Sequence, residues 1–237
     1  MIPLLNKNKG DNMRKFWSFI SNGIYSIGCS GHTVYVYDKD NKELAKFKDI
    51  KYGYTPIFAP DGKTFVVKST AGQIAVYSLE TLSLMYKFYF SSIKMSQDDG
   101  FCFSPDGKLF FNIERHGNTT CTALAIYDTE DYSRQKLLTF ENIVLDHIEY
   151  DAECNAYYVL GLKRGLIDAF SHAFVAKFEN DSLKKITRIS EDEHTFYRKY
   201  KSLQLGGFTE EAFKWKYMDC DLEDIRSKDY KLSGLVR

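Results

Sequence analysis

The chain has 237 residues and no formal net charge, because 32 lysines and arginines balance 32 aspartates and glutamates. Hydrophobic residues make up 44% and aromatic residues 16% of the sequence, which excludes an intrinsically disordered chain. The neutral balance removes the overall electrostatic argument for binding nucleic acid or an anionic membrane, so we expect neither as a direct partner.

The N-terminal segment and the cysteines indicate a cytoplasmic protein. Residues 1–16 contain no apolar run long enough for a signal-peptide core or a membrane span. The cysteines are odd in number, widely spaced and without a C-x-x-C pair, so we expect free thiols and neither a disulfide framework nor a zinc site. They are Cys29, Cys102, Cys121, Cys154 and Cys220.

The first predicted elements form a hairpin followed by two further strands. Residues 16–20 and 24–27 are apolar strands that flank a Ser-Asn-Gly turn. Residues 34–38 alternate between β-branched and tyrosine side chains, which predicts a third strand, and residues 44–47 predict a weaker fourth strand.

The same order of elements recurs twice around a Pro-Asp-Gly-Lys turn. The turn occupies residues 60–63 and again residues 105–108, each time between apolar strands. Proline fixes φ where the turn begins and glycine accepts a positive φ, which is typical of a hairpin. Third strands are predicted at 74–78 and 124–128, and fourth strands at 84–90 and 137–140.

The pattern becomes less regular towards the C-terminus. Residues 148–150 and 157–160 predict a fourth hairpin. Gly206 and Gly207 are a candidate fifth turn, which residues 213–217 follow with the alternation of a strand. A helical cap is the alternative for this tail, because Thr209 precedes two glutamates, as at the N-terminus of a helix.

Four short strands in every unit of about 40 to 50 residues is the spacing of a propeller blade. Phe-Ala-Pro-Asp-Gly-Lys at 58–63, Phe-Ser-Pro-Asp-Gly-Lys at 103–108, and Tyr-Asp at 37–38 and 127–128 resemble the motifs of WD-repeat (tryptophan–aspartate-repeat) propellers and their bacterial relatives. The resemblance implies an all-β protein with one β-propeller domain over residues 1–237. We expect five four-stranded blades, the last irregular or partly helical, at about residues 14–50, 51–93, 94–141, 142–190 and 191–237.

Few residues are candidates for catalysis. No two of the five histidines stand three or four residues apart, and P-loop, G-x-S-x-G and H-E-x-x-H motifs are absent. We therefore expect no enzymatic activity, no cofactor and no metal. The alternative is a glycan-binding or glycosidase propeller, in which Asp146, Asp151 and Asp168 are candidates for a catalytic pair of carboxylates.

The resemblance also sorts the charges of the turns between two faces. In WD-repeat propellers the turns between first and second strands and between third and fourth strands lie on one face, which is acidic in this chain. Its candidate partner-binding residues are Asp128, Glu130, Asp131, Asp151 and Glu153. The opposite face mixes basic and aromatic residues, which are enriched in the hot spots of protein interfaces. We expect Lys68 and Glu114 to lie in turns on this face as well. Its candidate residues are Tyr52, Tyr54, Arg115, His116 and Arg164.

These features together predict a protein-binding module. A rigid propeller offers a preformed surface, so we expect a monomer that joins one protein partner in a heterodimer. The specific interpretation is an immunity protein that binds and blocks a cognate bacterial toxin of the contact-dependent inhibition type. A basic nuclease would complement the acidic face. An intracellular WD-repeat-like scaffold or regulatory subunit is the alternative within this class.

Overall fold

The computed structural model describes residues 16–90, 100–115, 122–141, 143–152, 155–163, 172–185, 225–226 and 228–229. Throughout these ranges every regular element is a β-strand, which confirms the expected all-β class. The described residues divide into two compact units, which are treated separately: residues 16–90 together with Arg115, and the others from Gly100 onwards. The expectation of a single domain stays a prediction.

The first unit contains two antiparallel sheets whose strands follow one another in chain order. Sheet 1 consists of β1 (Ser18–Ser21), β2 (Tyr25–Cys29), β3 (Val34–Asp38) and β4 (Glu43–Phe47). Sheet 2 consists of β5 (Gly53–Phe58), β6 (Thr64–Ser69), β7 (Gln73–Ser78) and β8 (Ser83–Tyr89). The strands predicted in the first two repeats are thus confirmed, with ends that differ by a few residues.

The second unit contains the other two sheets. Sheet 3 consists of β9 (Phe101–Phe103), β10 (Leu109–Arg115), β11 (Thr122–Asp128) and β12 (Arg134–Thr139). Sheet 4 consists of β13 (Ile143–Asp151), β14 (Ala156–Lys163), β15 (His172–Glu179) and β16 (Ser182–Lys185). Four-stranded antiparallel sheets of this connectivity are the units from which β-propellers are built.

The C-terminal segment contributes edge strands to existing sheets. β17 (Ile225–Arg226) pairs with β16 of sheet 4, and β18 (Lys228–Asp229) pairs with β12 of sheet 3. The sequence favours a fifth blade or a helical cap for this segment, but these four residues form neither. They satisfy backbone groups that the edges of sheets 3 and 4 expose. The candidate turn at Gly206 and the strand predicted at 213–217 lie outside the described residues, and the five-blade count stays a prediction.

The Pro-Asp-Gly-Lys turns have the predicted geometry. Gly62 donates its N–H to the carbonyl of Ala59 at 3.0 Å, and the Asp61 carboxylate accepts the N–H of Lys63 at 2.8 Å. The φ angles of Gly62 and Gly107 are +67° and +71°, so both glycines lie in the left-handed region. The N–H of Ala59 donates to Thr64 O and that of Ser104 to Leu109 O, so each connection has four residues, a length commonly built around a type I turn, and the hairpin prediction is confirmed in both copies.

Replacing Gly62 by valine tests the strain that this turn imposes. A Cβ placed on Gly62 meets no atom within 4 Å, so a steric clash does not contribute. We expect Gly62→Val to lower the free energy of unfolding by about 1–3 kcal/mol, because a β-branched residue is strained at positive φ. Gly62→Asn is the matched control and should cost less, since asparagine tolerates this region. Urea unfolding compares the variants, and a valine variant as stable as the wild type would contradict the turn assignment.

Each unit has a hydrophobic core between its two sheets. In the first unit Phe65 stacks on Tyr77 with ring centroids 5.0 Å apart, and Phe47 covers Tyr77 from sheet 1 at 4.5 Å. In the second unit Phe111 of sheet 3 lies 4.7 Å from Tyr157 of sheet 4, measured between ring centroids. These cores fix adjacent sheets face to face, and so they position the turns at the sheet ends.

Candidate functional site

The connectivity places the turns of each sheet at two opposite ends. In an antiparallel sheet with strands in chain order, the first–second and third–fourth turns share one end. Hydrogen bonds join these turns in sheets 2 and 3: Leu79 N–H donates to Lys63 O at 2.8 Å, and Thr129 N–H donates to Lys108 O at 3.0 Å. We call this end of a sheet its acidic end. The grouping of turns predicted from the sequence therefore holds within these sheets.

Asp128, Glu130 and Asp131 lie together in the turn between β11 and β12, at the acidic end of sheet 3. The Asp128 carboxylate accepts the N–H of Glu130 at 2.8 Å, and the Asp131 carboxylate accepts the N–H of Ser133 at 2.7 Å. Hydrogen bonds from the hydroxyl and N–H of Ser133 lower the pKa of Asp131. Both aspartates therefore hold the turn in shape, and the lowered pKa of Asp131 favours its charged form at the surface.

The other sequence candidates are spread over the molecule. Asp151 is the half-buried last residue of β13, in sheet 4, and Arg115 is the half-buried last residue of β10. Three candidates, Glu153, His116 and Arg164, lie outside the described residues. For the glycosidase alternative, Asp146 falls within β13 and Asp168 lies outside the described residues, so the carboxylate pair stays a prediction.

Lys68 does not belong to a surface turn, contrary to the sequence-based expectation. It lies within β6 and is 2% exposed. Its ammonium group sits 4.9 Å from the centroid of the Phe90 ring, a distance that allows a cation–π interaction. The expectation was wrong because β6 continues as far as Ser69, which carries Lys68 into the sheet instead of the turn.

Glu114 is also buried, although we expected it in a turn. It lies in β10 and is 0% exposed. The Tyr127 hydroxyl donates to its carboxylate, as does the side-chain amide of Asn112 at 3.3 Å. Arg134 forms an ion pair with the same carboxylate at 3.3 Å. A buried charge needs such partners, so Glu114 stabilises the interior of sheet 3 and is unavailable as a surface contact.

Four exposed rings lie at the other end of sheets 1 and 2, in two contacting pairs. Trp17 precedes β1, His32 lies in the turn between β2 and β3, and Tyr52 and Tyr54 lie where β5 begins. The ring centroids of Trp17 and Tyr54 are 6.0 Å apart, and those of His32 and Tyr52 are 5.0 Å apart. Trp17, Tyr52 and Tyr54 are 50%, 46% and 38% exposed. We call these four residues the aromatic surface.

A backbone bridge between sheets 1 and 2 holds the aromatic surface in place. Gly53 donates its N–H to the carbonyl of Gly31 at 3.0 Å, and the Ser18 hydroxyl donates to the carbonyl of Tyr54. Gly31 has a φ of +87°, and a Cβ on it would lie 2.7 Å from the indole of Trp17. A larger residue at position 31 would therefore displace the Trp17 ring.

Tyr52 is held in a strained backbone conformation. Its φ is +55°, which is unusual for an aromatic residue. The carbonyl of Tyr52 accepts the N–H of Thr70 at 3.1 Å, and the side chain of Gln73 accepts the N–H of Lys51 at 3.3 Å. The turn between β6 and β7 thus holds this loop from one side. Leu82 and Tyr132 have similar positive φ angles in hairpin turns, so this strain belongs to the turn conformation that fixes the Tyr52 ring in place.

Sequence reasoning found only half of the aromatic surface. It named Tyr52 and Tyr54 as candidate contacts and placed Gly31 and His32 on the same face without naming His32 as a contact, and it treated Trp17 as part of the first strand. No local pattern shows that Trp17 packs over Gly31, because that contact depends on the β2–β3 turn folding back towards β1. The pair Gly31-His32 in a turn was the available signal.

Charged residues lie at both ends of the first unit. Near the aromatic surface, Lys48 and Lys51 are exposed, and the Lys87 side chain donates to the carbonyl of Asp49, whose carboxylate is the one acidic group of that loop. The turns at the acidic ends of sheets 1 and 2, taken together with the strand residues Asp38 and Glu43 beside them, carry more acids than bases. The acids are Asp38, Asp40, Glu43, Asp61 and Glu80, and the bases are Lys39, Lys42 and Lys63. These residues have an excess of two negative charges, and the separation of charge between the two faces stays a prediction.

Among the described residues, no group of three or more histidine, cysteine, aspartate or glutamate side chains could hold a metal ion. The same part of the chain contains no helix with the length and apolar character needed to cross a membrane. Cys29 and Cys102 are buried free thiols, as expected, and the other three cysteines lie outside the described residues.

No protein-family model and no curated protein matches the sequence. Solved structures do match the fold. Hydrazine synthase from Kuenenia stuttgartiensis aligns with a TM-score of 0.55 and 17% identity, over 67% of this chain and 49% of that one. The WD40 β-propeller domain of Doa1 aligns with a TM-score of 0.46 and 16% identity, over 63% of this chain and 48% of that one. The chain thus spans about half the length of the structures that it matches, and at these identities the likeness concerns the fold alone.

Proposed function

We propose that this chain is a non-enzymatic, protein-binding β-propeller whose sheets are consecutive blades and whose aromatic surface contacts the partner. The repeated four-stranded sheets, packed in pairs within each unit, and the two equivalent Pro-Asp-Gly-Lys turns support the architecture. The observation that carries the function is the aromatic surface itself, in which three large rings are more than one-third exposed and held by backbone hydrogen bonds.

Exposed tryptophan and tyrosine side chains in a fixed arrangement suit protein recognition. These residue types dominate the binding energy of protein interfaces. Because the Gly31–Gly53 bridge and the β6–β7 turn already hold the loops, little conformational entropy is lost on association. The surface therefore favours a partner that buries the rings over a reaction that would need converging catalytic groups.

Within this class we propose an immunity protein that binds and blocks a cognate bacterial toxin as a heterodimer in the cytoplasm. The support is the acidic turn of Asp128, Glu130 and Asp131, whose charges complement a basic protein surface. A nuclease that grips phosphates is basic at its active site, so the acidic turn would attract such a partner over a distance and speed its association with the chain. An intracellular scaffold would instead bind several partners weakly.

Purification from the native cell tests the proposal. We expect a tagged chain to retain one stoichiometric protein, and Tyr54→Ala to weaken its binding by roughly 30-fold, because a central tyrosine commonly contributes about 2 kcal/mol. Ile24→Ala is the matched control, since Ile24 is 64% exposed at the opposite end of sheet 1. Equal retention by both variants would remove the aromatic surface from the interface.

The same purified pair tests the immunity assignment. Changing Asp128, Glu130 and Asp131 together to lysine should slow association with a basic toxin and reduce its dependence on salt. The retained protein should also be toxic when it is expressed without this chain. A harmless partner would contradict the immunity role, and cleavage of an oligosaccharide by the purified chain would overturn the non-enzymatic proposal.

A further inference from the structure

The aromatic surface has the chemistry to recognise one type of polypeptide segment. We propose that it binds an extended, proline-rich segment that carries acidic residues. This inference rests on the proposed protein-binding function and specifies the segment that the partner presents. Four properties of the surface support it. They are the arrangement of the rings in pairs, the hydrogen-bond donors that the rings carry, the nearby polar side chains that are already hydrogen-bonded, and the positive charge around the rings.

The rings are arranged as two tilted pairs. The planes of Trp17 and Tyr54 meet at 51°, and those of His32 and Tyr52 meet at 54°. With centroids 5.0 and 6.0 Å apart, the two rings of each pair are in contact, so a flat, rigid and apolar group can pack on their outer, exposed sides. Proline rings in a polyproline II segment dock against aromatic side chains in this manner, and the segment is already extended before it binds, so little entropy is lost.

The aromatic surface offers donors that lack partners. Within the described part of the chain, the indole N–H of Trp17 and the hydroxyls of Tyr52 and Tyr54 form no hydrogen bond. A polyproline II segment is the complement of such a surface. Its carbonyls accept hydrogen bonds, they are not used within the segment, and proline has no N–H that would need an acceptor.

The polar side chains beside the rings are already engaged by backbone groups. The Ser30 hydroxyl donates to the Thr33 carbonyl at 3.2 Å, and the Ser69 hydroxyl donates to the Lys51 carbonyl. The Gln73 side-chain oxygen accepts the N–H of Lys51. A sugar presents many hydroxyls, which lose free energy when they are buried without partners. The surface is therefore better matched to a proline-rich segment than to a glycan.

The charge near the rings indicates that the segment is acidic. Lys48 and Lys51 are exposed in the loop that leads to Tyr52, with Asp49 as the only acidic neighbour in that loop. Lys87 reaches the same loop through its bond to the Asp49 carbonyl. Carboxylates that flank the prolines would be attracted to these lysines, whereas arginines or lysines would be repelled.

Titration with synthetic peptides tests the inference. The probe is a peptide of alternating glutamates and proline pairs, compared with a peptide that has serine for proline and with one that has lysine for glutamate. Binding is measured by calorimetry and by the fluorescence of Trp17, whose signal is separated from that of Trp215 by its loss in Trp17→Phe. We expect saturable binding of the acidic proline peptide, at least tenfold weaker binding of both comparison peptides, and no binding of cellohexaose.

Substitutions test whether the peptide binds at the aromatic surface. Tyr54→Ala should weaken binding at least tenfold, and Lys51→Glu about three- to tenfold, whereas Ile24→Ala should leave it unchanged. Equal binding of the serine peptide, binding of cellohexaose, or insensitivity to Tyr54→Ala would overturn the inference. If no peptide binds while Tyr54→Ala still releases the native partner, this inference fails and the proposed function stands.

Discussion

Replacing Glu114 by alanine is expected to lower the free energy of unfolding by about 3 kcal/mol or more. The Glu114 carboxylate is fully buried and is the common acceptor for Tyr127, Asn112 and Arg134. Removing it leaves the Tyr127 hydroxyl and the Asn112 amide without this acceptor, and breaking a buried ion pair from one side typically costs about 3–5 kcal/mol. The lower end applies because the side chain of Arg134 is 26% exposed and can be partly hydrated.

Two further variants separate the charge of Glu114 from its hydrogen bonds. Glu114→Gln keeps a side-chain acceptor for Tyr127 but removes the ion pair with Arg134, so we expect a smaller loss than for alanine. Tyr127→Phe removes one hydroxyl and should cost about 1–3 kcal/mol. Urea unfolding at pH 7 gives all three values. An alanine variant within 1 kcal/mol of the wild type would contradict the proposed role of this network.

The hairpin turns could be predicted because their information is local. Proline, aspartate and glycine in sequence restrict the backbone within four residues, and the structure places Gly62 and Gly107 at nearly equal positive φ. The alternating third strands were predicted for the same reason, and Val34–Asp38 has the predicted bounds. The tail at 225–229 has no such motif, and its residues pair with strands far away in the sequence.

Burial of individual charged residues could not be predicted, because it depends on where a strand ends. Successive side chains of a strand point to opposite faces, so a strand that is one or two residues longer changes a surface lysine into a buried one. This explains the error at Lys68 and Glu114. The contact of Trp17 with the Gly31 turn is likewise tertiary, because neither residue determines it alone.

The aromatic surface and the acidic ends arise from one property of the sheet. Chain-order antiparallel strands send alternate turns to opposite ends, so residues that are adjacent in the sequence are sorted into two groups. Turns built on aspartate, such as that of Asp128 and Asp131, use the carboxylate to accept backbone N–H groups. The negative charge at one end is therefore partly a consequence of turn formation, whereas no such local role explains the exposed rings at the other end.

Stability is expected to decrease steeply above pH 9, in part because of Cys29. Burial raises the pKa of the Cys29 thiol to about 12, from 9.0 in its unperturbed state. Between these two pH values the unfolded chain loses the proton that the folded chain retains, so the stabilisation present below pH 9 is lost as the pH rises towards 12. At about 1.36 kcal/mol for each pKa unit, the loss approaches about 4 kcal/mol.

The variant Cys29→Ala isolates this contribution from other groups that titrate at high pH. Burial also raises the pKa of Tyr77, which acts in the same direction, so the wild type and the variant should both lose stability in alkali. The alanine variant starts lower because it loses buried volume, but its stability should decrease less. Urea unfolding at pH 8, 10 and 11 under reducing conditions should show the difference between the two proteins shrinking as the pH rises. A difference that stays constant would mean that the Cys29 thiol ionises equally easily in the folded and unfolded chain, and that the core around it admits water.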